Sequence, residues 1–150
     1  MAAKTTTPEA DPTIELTSRL RMVVARLNRR LRQEANEGAT PSQLAALATI
    51  ERHGPITLGD LAAHERVRPP TMTRIVAGLE EAKLVRREVD AADRRVARVT
   101  ITKDGSRLLA RSRTRKDAFL ASLLEHLDGD DLLAVERAVP VLERLVEQSR

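Results

Sequence analysis

The chain contains no cysteine, no tryptophan, no tyrosine and a single phenylalanine, Phe119. Without thiols, disulfides, thiolate metal centres and cysteine-based redox sensing are excluded on chemical grounds. With one aromatic side chain, binding of single-stranded nucleic acid by base stacking has little to work with. No apolar run approaches the roughly 18 to 20 residues that a membrane-crossing helix needs. The first residues, MAAKTTTPEADP, lack the apolar stretch of a secretion signal, so a cytoplasmic protein with no membrane partner is expected. His53, His64 and His126 share no metal-ligand spacing, and no HExxH, P-loop or GxSxG pattern occurs. No catalytic residue, metal or cofactor is therefore expected.

What remains is a helix-rich composition with segregated charge. The 150 residues suffice for one compact domain plus extra helices that need a partner. Hydrophobic residues make up 41% and charged residues 32%, which suits a globular chain better than a disordered one. A net charge of +4 says little by itself, but its distribution says more. Residues 66–98 hold nine basic and five acidic side chains, whereas residues 125–150 hold three basic and seven acidic. The middle of the chain is the candidate anion-binding part.

Periodicity and capping residues order the elements. Leu16, Leu20, Val23, Val24, Leu27 and Leu31 form one helical stripe, which should end near Asn36 to Gly38, where glycine permits a left-handed turn. Thr40 with Pro41 and Gln43, and Thr57 with Asp60, read as N-caps of helices ending near His53 and His64. Pro69 and Pro70 open a fourth helix whose buried face is Met72, Ile75, Val76 and Leu79. At 100° per residue Arg74 projects opposite that stripe, with Thr71 and Thr73 to either side.

Leu84 to Val89 and Val96 to Ile101 are valine-rich strand segments flanking a charged tip. Thr102 with Asp104 and Gly105 should cap a long helix carrying Leu108, Leu109, Leu120, Leu123, Leu124 and Leu127. Asp128 and Asp131 should open a last helix, which Pro140 should kink or split. A short helix, a turn and a helix with a polar outer face make a helix-turn-helix, and the hairpin behind it makes a wing. The fold expected is mainly α with a small β-hairpin wing.

The segment from Ile56 to Gly105, ITLGDLAAHERVRPPTMTRIVAGLEEAKLVRREVDAADRRVARVTITKDG, resembles the MarR-type winged helix-turn-helix transcriptional regulators. PPTMTR and LVRR, followed by DAADRR and VTITKDG, carry the likeness at the recognition-helix start, the wing and the next helix cap. The resemblance extends from about Leu16 to the C-terminus. It implies a homodimer on a pseudo-palindromic operator of double-stranded DNA, more often a repressor, relieved by a small aromatic or anionic effector. That effector would bind between dimerisation helices and winged domain, where Arg26, Arg86 and Arg87 are candidate anion partners. The division implied is a tail (residues 1–12), a dimerisation helix (13–38), a winged domain (39–103) and C-terminal dimerisation helices (104–150). Leucine-rich helices at both termini independently expose more apolar surface than a monomer tolerates.

The major-groove set is Arg68, Pro70, Thr71, Thr73 and Arg74. Arg74 can donate two hydrogen bonds to guanine, clamp a phosphate, or simply remain solvated; the threonines can donate to DNA or serve the helix start. By resemblance Arg94 and Arg95 are the wing residues that reach a minor groove, whose narrow form concentrates negative potential, and Asp93 braces an arginine there. An exposed ion pair of little energetic consequence is the plainer account of that tip. The run Arg111 to Lys116 spreads around a helix and reads as a solvated face. Three residues depart from the family pattern: Arg66 and Lys83 stand where glycine is usual, and Arg68 where a serine cap is usual. Non-glycine residues seldom take left-handed conformations, which puts both turns in question, while Arg68 can add a DNA contact. The competing reading is a winged-helix module that binds a protein without reading DNA.

Overall fold

A computed structural model describes residues 12–35, 38–90, 93 and 96–148. The order is α1 (Pro12–Glu34), α2 (Pro41–His53), β1 (Ile56–Thr57), α3 (Leu58–His64), α4 (Pro69–Glu81), β2 (Val85–Val89), β3 (Ala97–Ile101), α5 (Lys103–Leu124) and α6 (Gly129–Glu147). Side-chain caps set most of these starts. Thr40 Oγ1 accepts from the Gln43 amide at 3.3 Å while the Thr40 amide donates to Gln43 Oε1 at 2.8 Å, a reciprocal capping box. Thr57, Thr102 and Asp128 accept in the same way from Asp60, Gly105 and Asp131. Gly38 takes the left-handed φ of 75° expected beyond the first helix; Asn36 and Glu37, where that end was also expected, lie outside the described residues.

The core belongs to the middle of the chain. Leu47 and Ile50 of α2, Leu61 of α3, Met72, Val76 and Leu79 of α4, and Val99 of β3 are at most 1% exposed. Ile75, expected in the buried face, is only partly buried against this cluster. The three strands form an antiparallel sheet in the order β1-β3-β2, with Ile56 opposite Val99 and Val85 opposite Ile101. The sequence reading has only the hairpin; β1 is a third, two-residue strand that laces the start of α3 to the wing.

The terminal helices differ. Neither α1 nor α6 has a buried residue, although each carries an apolar stripe. Pro140 does not split the last helix: α6 is continuous from Gly129 to Glu147. Proline removes the bond to the carbonyl four residues earlier, here that of Glu136, which lies on a helix exposed along its length.

Candidate nucleic-acid interface

The turn between α3 and α4 is built from two backbone hydrogen bonds, Arg66 N to Ala63 O at 3.1 Å and Val67 N to Ala62 O at 3.0 Å. That pairing requires a left-handed residue at position 66, and Arg66 supplies it with φ 53°. Lys83 does the same after α4 with φ 59°. Both turns thus keep the glycine-type geometry that their side chains put in question. Val67 then packs against the core and fixes where α4 begins.

Arg68 is the N-cap of α4 by backbone conformation, with no side-chain cap bond, and Pro69 and Pro70 fill the first helical positions. Because Met72, Val76 and Leu79 are buried, the helix rotation leaves Thr73, Arg74 and Ala77 exposed on the opposite side. Thr71 is half-buried. The Thr73 hydroxyl donates to the Pro69 carbonyl at 3.0 Å, one turn earlier in the helix. Arg68, Pro70, Thr73 and Arg74 therefore share an exposed surface at the N-terminal half of α4, with Thr71 at its edge.

At the wing, Asp90 N donates to Val96 O at 2.8 Å and Val96 N to Asp93 O at 2.9 Å. The Asp90 carboxylate accepts from the Asp93 amide at 3.3 Å and from Arg98 Nε. Asp90 and Arg98 form a carboxylate–arginine brace at the base of the tip, a pair additional to the Asp93 brace that the resemblance implies. Hairpin register was the available signal: with Val89 opposite Ala97 in an antiparallel pair, Asp90 and Arg98 are diagonal neighbours on one face. Arg94 and Arg95 lie outside the described residues.

Ion pairing sorts the basic segment. Arg86 pairs with Glu88 at 3.0 Å, Arg87 with Glu80 at 2.8 Å, and Arg98 with Asp90. Among the described residues no carboxylate pairs with Arg66, Arg68 or Arg74. Within the basic segment, the described cations without a carboxylate partner are Arg66, Arg68 and Arg74 of the helix-turn-helix and Lys83 just after it.

Arg86 and Arg87, held in those pairs, line no described cavity. A cavity of about 280 Å³ lies between α1, α2 and α5, with Leu44, Ala48 and Leu109 as its apolar wall and Arg32, Arg113 and Lys116 as its cations. Arg26 lines a different recess of about 540 Å³ with Arg29 and Arg30, between α1 and α5. Within the Arg111 to Lys116 run, Arg113 reaches Glu51 of α2 at 2.6 Å. The His53 and His64 rings stack at 4.5 Å. Among the described residues no three His, Cys, Asp or Glu side chains gather as metal ligands, and no helix is long and apolar enough to cross a membrane.

Comparison with known proteins points one way. Residues 39–97 match the model of the MarR family. The chain is 34% identical over 140 residues to an HTH-type transcriptional regulator of Mycobacterium tuberculosis, covering 93% of this chain and 98% of the relative. It is 27% identical over 111 residues to the HTH-type transcriptional repressor MdtR of Bacillus subtilis, covering 74% of this chain and 72% of that one. A solved MarR family protein from Bacillus stearothermophilus superposes with a TM-score of 0.77 at 26% identity, over 96% of this chain and all of the other (100%).

Proposed function

The chain belongs to the MarR family of HTH-type transcriptional regulators, and from that premise we propose that it is a homodimeric repressor that binds a pseudo-palindromic site in duplex DNA. The observation that carries the proposal is the unpaired pair Arg68 and Arg74 on the outer side of α4, in a segment whose strand arginines are neutralised. A recognition helix enters the major groove with its N-terminal residues against base edges, and Arg68, Pro70, Thr71, Thr73 and Arg74 occupy that part of α4. Arg94 and Arg95 of the wing, with Asp93 beside them, reach the flanking minor groove. The outer side of α4 offers threonine, arginine and alanine rather than an apolar patch, which disfavours a protein-binding module. Repression follows the likeness to MdtR.

Residues 39–103 form the DNA-binding unit, and residues 13–38 and 104–150 the dimerisation helices. Support comes from the exposed stripes Leu16, Leu20, Val23, Val24 and Leu27 on α1 and Leu132, Val135, Val139, Leu142 and Val146 on α6, each 37–67% exposed. An effector with an aromatic or apolar body and an anionic group suits the cavity that Arg32, Arg113 and Lys116 line. Because α1, α2 and α5 all border it, occupancy shifts the terminal helices relative to the winged domain. The protein acts in the cytoplasm.

The test is titration of genomic duplexes, first those that co-purify with the protein, at several salt concentrations. Binding weakens steeply with salt, as phosphate neutralisation requires. Absent or salt-insensitive binding across the library removes the DNA reading.

A further inference from the structure

Two helices of the winged domain end in the same hydrogen-bonded turn, and in both the left-handed residue is basic. After α3 the bonds run from Arg66 N to Ala63 O and Val67 N to Ala62 O; after α4 they run from Lys83 N to Glu80 O and Leu84 N to Leu79 O, both 2.9 Å. The chain returns to the core through Val67 in one turn and Leu84 in the other. Each basic residue carries the same disadvantage, since a Cβ in left-handed backbone crowds the following carbonyl oxygen and glycine avoids it. Each also enjoys the same modest compensation, a cation near the negative end of a helix. Helix-end physics therefore treats the two residues alike.

Their places do not. Lys83 lies at the far end of α4, about 20 Å along the helix from Arg68, and its carbonyl accepts from Thr102 Oγ1 at 2.8 Å, at the base of the wing. Both side chains are exposed with no carboxylate partner among the described residues, but Arg66 lies two residues before Arg68, in the turn that leads into α4. In helix-turn-helix docking the first helix crosses the sugar-phosphate backbone while the second enters the groove, so the turn joining them passes over the groove wall. Guanidinium is the side chain best matched to a phosphate there.

We infer that Arg66 is a DNA-backbone contact: it holds a phosphate at the rim of the major groove that α4 occupies, in a position whose geometry otherwise favours glycine. The inference rests on the DNA-binding reading above. It assigns Arg66 to affinity and register, not to base choice.

The experiment compares wild type, Arg66→Gly, Arg66→Lys and Lys83→Gly on the tightest co-purifying duplex and on a random duplex, by fluorescence anisotropy across a salt series. Arg66→Gly should bind both duplexes roughly tenfold more weakly, with a slope of log affinity against log salt shallower by about one. Arg66→Lys should keep most of the slope, and Lys83→Gly should match wild type. Both glycine variants should melt at or above the wild-type temperature, showing that the loss is not one of folding. Wild-type affinity and slope in Arg66→Gly overturn the inference, as does an equal loss in Lys83→Gly, which would trace the effect to turn geometry. A wild type that binds no duplex removes the parent reading first and is recognised as such from its own titration.

Discussion

A Cβ on Gly105 would stand 2.2 Å from the carbonyl oxygen of Leu84 and 2.8 Å from Ile101 Cγ1. That oxygen also accepts from the Thr102 amide and from Thr102 Oγ1, both at 3.0 Å. The first turn of α5 is thereby locked against the base of the wing. Gly105→Ala must separate them, and the overpacking should cost about 1–3 kcal/mol of stability in urea unfolding. Gly59→Ala is the matched control: its Cβ would have an ordinary 3.8 Å neighbour on a short helix, so it should be neutral or stabilising by up to about 1 kcal/mol. Equal behaviour of the two variants would show that the close approach is not a constraint.

The wing gives a prediction that separates shape from stability. Asp90 holds both the Asp93 amide and Arg98, yet the Arg98 side chain is 42% exposed, so the pair contributes no more than about 1 kcal/mol. Asp90→Ala should barely move the melting temperature while weakening binding to duplexes with a narrow minor groove, because the tip between the strands loses its brace. Faster amide exchange confined to residues 89–98 should accompany the loss. Unchanged affinity at such sites would mean that the brace is incidental.

Much of this architecture was legible because it is locally encoded. Thr40, Thr57, Thr102 and Asp128 announce helix starts through their own hydroxyls and carboxylate, and the α4 stripe follows from spacing alone. β1 was not legible: two residues carry no alternation, and Ile56 acquires strand pairing only from Val99, far along the chain. The Arg87 to Glu80 pair and the Asp90 to Arg98 brace are close in sequence, seven and eight residues apart, but each depends on how two elements are placed against one another. Arg66 and Lys83 mislead in the opposite direction, because the hydrogen-bonded turns around Val67 and Leu84 impose a conformation that the residue type disfavours.

Arg74 should be the residue whose loss weakens specific binding most. A bidentate arginine on guanine contributes about 1–3 kcal/mol of discrimination, so Arg74→Ala should lower operator affinity by roughly 5-fold to 150-fold. Selection of binding sites from random DNA decides the mode. A base contact predicts relaxed preference at one position of each half-site; a phosphate contact predicts uniform weakening with the preference intact. Wild-type affinity for the operator would refute both modes.

The dimer proposal carries an electrostatic consequence. α1 holds Arg19, Arg21, Arg26, Arg29, Arg30 and Arg32 against Glu15 and Glu34, whereas α6 holds Asp130, Asp131, Glu136, Glu143 and Glu147 against Arg137 and Arg144. With exposed apolar stripes and opposite net charge on the two helices, α1 of one copy is matched to α6 of the other more than to itself. Purely apolar burial is strengthened by many salts, while charge pairing is screened within about 8–10 Å at physiological ionic strength. The dimer should therefore loosen as sodium chloride is raised from low to moderate concentration. Arg26→Glu with Arg30→Glu in one chain, and Glu136→Arg with Glu143→Arg in another, should each give monomers by sedimentation. Mixing the two variants should restore a heterodimer. Variants that remain homodimers would show that α1 and α6 do not meet in this way, and a wild type that sediments as a monomer at micromolar concentration would remove the dimer itself.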